Sequence, residues 1–221
     1  MDKLQAIVDA IRDEFEAKSA VRDTTLRRSR ELIRYCANAI RASHRNDLAE
    51  AQSLLSTART AAAEMVADTR QYPDLFYAGY TQDALKELAE AHITYALITG
   101  GDVPTPDDLD VEPASYLNGM AEAASEMRRY LLDRLRQGDV ATGERLLTVM
   151  DDIYTLLITV DFPEAITGGL RRSTDMVRGV LERTRGDLTN AVRQEQMKAA
   201  LRDFGSRVGL VVKDQAADVA E

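Results

Sequence analysis

The sequence predicts an all-α protein, a single-domain bundle of about seven helices. Three observations carry that expectation. The 12 glycines and 5 prolines gather in a few places and leave long stretches without a helix breaker. Hydrophobic residues make up 45% of the 221-residue chain while aromatics reach only 5% and Trp is absent, so the core must be aliphatic. No run reads as a strand before VGLVV at 208–212.

Helices are expected near 3–18, 22–45, 47–71, 81–99, 114–137, 139–160 and 170–204. Pro73 and Gly79 bracket the turn QYPDLFYAGY, whose aromatics are suited to clamping helix ends. The segment GGDVPTPDDLDVEP reads as a loop, and Ser115 after it as a helix cap. Gly138 divides the fifth and sixth helices, and DFPEAITGG the sixth and seventh. Residues 1–204 form the helical domain in this reading, with 205–221 as a C-terminal tail.

Composition narrows the function. A net charge of −9 and a pI near 4.9 argue against a generic nucleic-acid binder, but the local distribution matters more. Residues 21–45 carry seven arginines against Asp23 and Glu31, a local balance of +5. Cys36, alone, excludes an intrachain disulfide and a multi-cysteine zinc site, and its place in a helical pattern reads as a small buried filler. The acidic amphipathic start is unlike a secretory signal, and no apolar run is long enough for a membrane span, so a cytoplasmic location is expected.

Arg27, Arg30, Arg34, Arg41 and Arg45 fall within about 60° of one another around the second helix, in a line roughly 27 Å long. Leu26, Ile33, Ala37 and Ile40 form a neighbouring stripe expected to face the core. A row of guanidiniums of that length suits several phosphates of a nucleic-acid backbone; the plainer reading is a solvated face. Arg171 and Arg172 follow two glycines at a helix start, where backbone N–H groups favour anions, or simply cap the helix.

Glu87 with Glu90, and Glu122 with Glu126, sit three and four residues apart on two helices, so each pair shares a helix face. Each pair projects from the polar side of its helix, opposite Leu85, Leu88, Ala89 and Ala96 in one and Leu117, Met120, Ala124, Met127 and Leu131 in the other. Two solvated faces are the plain reading. Should the polar sides meet, four carboxylates could not all stay ionised without a cation, and an oxygen-only donor set suits magnesium or manganese. His92 reads as a packed histidine, and His44 as a neighbour of the arginine stripe.

Two segments resemble the translin family, and within it the translin-associated factor X branch and its archaeal relatives. KELAEA at 86–91 is similar to the family's Q-E-Y-V-E-A, and SYLNGMAEAASEMRR at 115–129 to its D-Y-L-x-G-x-A-D-L-x-G-E-L-x-R. RRSRELIRYCANAIRASHR resembles the family's basic first long helix. The resemblance spans roughly residues 20–200. It implies a helical subunit of a hollow octamer that holds RNA, or single-stranded DNA, inside, and a magnesium-dependent endoribonuclease. Glu87, Glu90, Glu122 and Glu126 would then be the catalytic and metal-binding carboxylates, with Glu122 in place of the family's usual aspartate. Two rival readings remain: a non-catalytic RNA- or DNA-binding oligomer, and an all-α nucleotide pyrophosphohydrolase of the MazG type, whose E-E-x-x-E and E-x-x-D spacings are not met here.

Overall fold

The computed structural model describes residues 1–208. Among these residues the chain is helical throughout, with no strand: α1 (Asp2–His44), α2 (Leu48–Thr69), α3 (Pro73–Phe76), α4 (Gly79–Thr99), α5 (Pro106–Leu109), α6 (Pro113–Arg136), α7 (Val140–Leu157), α8 (Glu164–Thr167) and α9 (Leu170–Arg207). The predicted segment VGLVV lies, after Val208, outside the described residues.

The two helices expected at 3–18 and 22–45 are one. Nothing between Lys18 and Arg22 can stop a helix, since the intervening Ser-Ala-Val lacks both Gly and Pro, and α1 runs on for 43 residues. It ends where Asn46 adopts a left-handed φ of 62°, and the Asp47 side chain accepts from the Glu50 N–H (3.1 Å) to start α2. Three single turns, α3, α5 and α8, lie within segments expected as loops. Each starts at or next to a proline whose fixed φ suits a first helical turn. Ser115 is not a cap: α6 starts at Pro113, and the Ser115 hydroxyl donates to Gln82 Oε1 (2.9 Å) on α4.

Two three-helix layers share the chain. Leu32, Leu55, Met65, Leu85, Leu88 and Ile93 fill the space between α1, α2 and α4. Met127, Leu131, Leu146, Met150 and Leu181 fill that between α6, α7 and α9. The α4–α6 contact is the seam that joins the layers. Gly119 makes it close: a Cβ there would stand 2.6 Å from the Lys86 carbonyl oxygen and 2.9 Å from both Ala89 Cβ and the Glu90 nitrogen. Only glycine lets the α6 backbone lie directly against α4 at that level.

The buried ridge of α1 is rotated from the predicted one. Thr25, Ser29, Leu32, Cys36, Ala39 and Ser43 face inward, and of Leu26, Ile33, Ala37 and Ile40 only Ile40 is buried. The three hydroxyls donate to the carbonyls of Val21 (2.8 Å), Leu26 (3.0 Å) and Ala39 (2.9 Å). Small, internally satisfied side chains let α2 and α4 pack closely here, which hydrophobicity alone does not signal. The first turns of α1 stand clear of the bundle, with Leu4 and Phe15 66% and 65% exposed. No helix among the described residues is long and apolar enough to cross a membrane.

Candidate metal centre

The seam brings the predicted glutamates face to face. Glu87 and Glu90 lie mid-way along α4, Glu122 and Glu126 mid-way along α6, with Gly119 one turn before Glu122 holding the two backbones together. The solvated-face reading fails at Glu90, which is 8% exposed because α4 has neighbours on almost every side. One oxygen each from Glu87, Glu90 and Glu122 lies within 4.8 Å of the others. Three hard anionic oxygens at that separation fit a divalent magnesium or manganese ion, and neither sulfur nor imidazole is among them.

Glu126 stands beside this triad rather than in it. His44, at the end of α1, donates from Nε2 to Glu126 Oε2 at 2.6 Å. His44 is expected beside the arginine stripe; instead its ring is buried, with Nδ1 unpartnered and Tyr130 6.1 Å away, centroid to centroid. No local spacing could reveal a contact across 82 residues. Lys86 is the other resident that local sequence pattern does not signal: its Nζ is 2.6 Å from Glu122 Oε1 and 3.5 Å from Glu87 Oε1.

Charge crowding is legible in the acid strengths. Burial first, then the charges of Glu87, Glu122 and Glu126, push the Glu90 carboxyl up to about 9. Burial likewise raises Glu87, with Lys86 opposing and Glu122 adding to the rise. Glu126 goes the other way, held below the usual carboxylate range by the His44 hydrogen bond. For Lys86, burial acts against the charged form but is outweighed by its contact with Glu122, and the net shift is upward. His44→Ala is expected to cost about 1–3 kcal/mol in urea unfolding, since it strips Glu126 of its partner and opens a gap beside Tyr130.

A groove of about 720 Å³ opens from the centre, lined by Lys86 and Glu122 on one side and by Gly168, Gly169 and Arg172 on the other. Asn118 fixes that far wall: its Nδ2 donates to the Thr167 carbonyl (2.9 Å) and its Oδ1 accepts from the Ser173 hydroxyl (2.7 Å). Gly168 and Gly169, with φ of 58° and 87°, make the corner that turns α8 into α9. Arg172 lines the same groove as Lys86 and Glu122, whereas Arg171, equally exposed, does not line it.

The arginine stripe is elsewhere. Arg27, Arg30, Arg34, Arg41 and Arg45 are all exposed, roughly 175° around α1 from its buried ridge. Arg45 pairs with Glu50 (2.7 Å) and Arg41 donates to Asn38 Oδ1 (2.6 Å). Arg27, Arg30 and Arg34 form no salt bridge among the described residues, unlike Arg28, which turns to Glu64 and Asp68 on α2. Cys36 is fully buried and its thiol is pushed far up by that burial, which makes it inert. His92 uses Nδ1 on the Leu88 carbonyl (3.0 Å) and takes no part in the carboxylate group.

Comparison with known proteins gives a consistent picture. No family model matches the chain. An uncharacterized protein of Methanocaldococcus jannaschii is 27% identical over 203 residues, which span 91% of this chain and 88% of its own. The subunit of AfC3PO in its complex with duplex RNA matches with a TM-score of 0.78 and 35% identity, over 85% of this chain and 97% of that one. AfC3PO in a second crystal structure matches at 34% identity over the same shares, also with a TM-score of 0.78. The subunit of apo-NeC3PO shares the fold (TM-score 0.77) at 19% identity, over 83% of this chain and 96% of that one.

Proposed function

The chain belongs to the translin family, whose translin/TRAX complex is C3PO, and we propose that it is a divalent-cation-dependent endoribonuclease acting within a homo-oligomer. The observation that carries this reading is the convergence of Glu87, Glu90 and Glu122 from two helices on one cation-sized space. The cation they hold, magnesium or manganese, would supply Lewis acidity at phosphorus and a water of lowered pKa. The protein's part is positional and electrostatic. Glu126, kept ionised by His44, accepts a hydrogen bond from the attacking water and so orients it. Arg172, across the groove, binds a phosphate next to the one being cleaved. Arg27, Arg30, Arg34, Arg41 and Arg45 on the opposite face of α1, with Arg171, hold phosphates further along without reading bases, so sequence preference is weak. RNA as the polyanion is supported by the duplex bound to AfC3PO. Copies assemble in this proposal as an octamer around an RNA-holding interior.

The test is cleavage of end-labelled RNA, single-stranded and duplex, with and without magnesium. Glu87→Ala combined with Glu90→Ala is expected to lower cleavage by at least about a thousandfold while leaving salt-sensitive RNA binding in place. Undiminished cutting by the pure double variant overturns the catalytic assignment. Salt-sensitive binding with no cleavage even by the parent protein selects the non-catalytic assembly instead, and turnover of nucleoside triphosphates without RNA cleavage selects the pyrophosphohydrolase.

A further inference from the structure

Lys86 does not fit the centre as a bystander. Its ammonium touches two of the three carboxylates that would hold the cation, Glu122 at 2.6 Å and Glu87 at 3.5 Å, and so competes for the same carboxylate groups. Three carboxyl groups this close, one of them on the buried Glu90, cannot all be ionised unless a positive charge stands among them. Lys86 is the cation among the described residues that meets this need, since His44 is committed to Glu126. An ammonium and a divalent ion sharing the same carboxylates also repel each other strongly at such range. Lys86 has somewhere to go: its flexible stem lies on the groove wall, and Asp83, Glu112 and Glu164 line the same groove.

We propose that Lys86 is a built-in counter-ion that holds the carboxylate centre together in the cation-free protein and must leave it for the groove when a divalent cation enters. This rests on the metal-centre reading above and adds a regulatory element to it. The chain takes up its cation in competition with its own side chain, so that occupancy responds to free cation concentration over a higher range than the three carboxylates alone would set. Lys86 is in this sense a positioning residue; it does not act on substrate.

The experiment is isothermal titration of the full-length protein with magnesium chloride and, separately, manganese chloride, in the parent and in Lys86→Gln and Lys86→Met. The proposal expects both variants to bind the cation more tightly, on the order of tenfold, the size usual for coupling between two occupants. It also expects them to melt earlier than the parent in chelator and to gain more from added cation. Equal affinity in parent and variants overturns the counter-ion role and leaves the metal centre intact. Absence of cation binding in all three overturns both. A second measurement needs no variant: acylation of Lys86 in the parent, followed by peptide mass spectrometry, is expected to quicken severalfold on adding magnesium. The other lysines serve as internal references, and an unchanged relative rate counts against the release of Lys86.

Discussion

Glu90→Gln is expected to stabilise the cation-free protein at neutral and alkaline pH and to abolish its response to magnesium. The sign follows from burial. In the folded chain the Glu90 carboxyl is raised to about 9 from an ordinary value of 4.5, so folding takes up a proton. Its contribution to stability is fully present below pH 4.5 and is lost as pH rises toward 9. The slope is at most about 1.4 kcal/mol per pH unit, and Glu87 adds to it in the same direction. A glutamine keeps the shape and removes the charge, so the alkaline decline should flatten. Glu126 has the opposite dependence: its carboxyl is lowered by His44, and its contribution is present above 4.5 and lost as pH falls. A divalent cation requires Glu90 ionised, so stabilisation by magnesium in the parent protein should grow with pH, and in Glu90→Gln it should be small at every pH. Urea midpoints across roughly pH 5 to 8.5, with magnesium or with chelator, read all of these trends. A parent protein that grows more stable with pH in chelator would contradict the account of Glu90.

Gly119→Ala is expected to be among the most damaging single-methyl additions in the chain. Its Cβ would lie 2.6 Å from the Lys86 carbonyl oxygen and 2.9 Å from the Glu90 nitrogen, both backbone atoms that cannot rotate away. The α4 and α6 backbones would have to part at the level where they present the glutamates. Overpacking of this kind costs about 3 kcal/mol, which for a domain of this size lowers Tm by about 6–12 °C. The separation should also weaken cation binding, because Glu122 is one turn further along α6. Gly186→Ala is the matched control. It lies inside α9 with open space around it, and there the same substitution should stabilise by up to about 1 kcal/mol through helix propensity alone. Equal effects at both positions would mean that the seam does not depend on close backbone approach.

The helices and the four glutamates were legible because both leave local traces. Breakers mark helix ends, and spacings of three and four mark a shared face. What the sequence could not supply was the identity of the opposing surface. Gly119 shares a face of α6 with Glu122 and Glu126, yet it is the contact that turns that face inward. Glu90 looked solvated because its own helix is amphipathic only weakly; burial comes from α1 and α6 together. His44 reaches Glu126 from 82 residues away, a distance no periodicity spans. Spacing gives the arginine stripe its angular width, but the buried ridge of Thr25, Ser29, Leu32, Cys36, Ala39 and Ser43 lies opposite it and not beside it. Polarity hides Thr25, Ser29 and Ser43 as core residues, although hydrogen bonds to their own helix let them be buried. The α1 break near residue 20 had no Gly or Pro behind it, and none was found in the structure.

The most direct measurement is the anomalous difference map of crystals grown with manganese, in the parent protein and in Glu87→Ala/Glu90→Ala. A single strong peak per chain bounded by Glu87, Glu90 and Glu122, absent from the double variant, is the result expected here. A peak elsewhere, or the same peak in both proteins, would show that carboxylates from α4 and α6 do not jointly hold the ion.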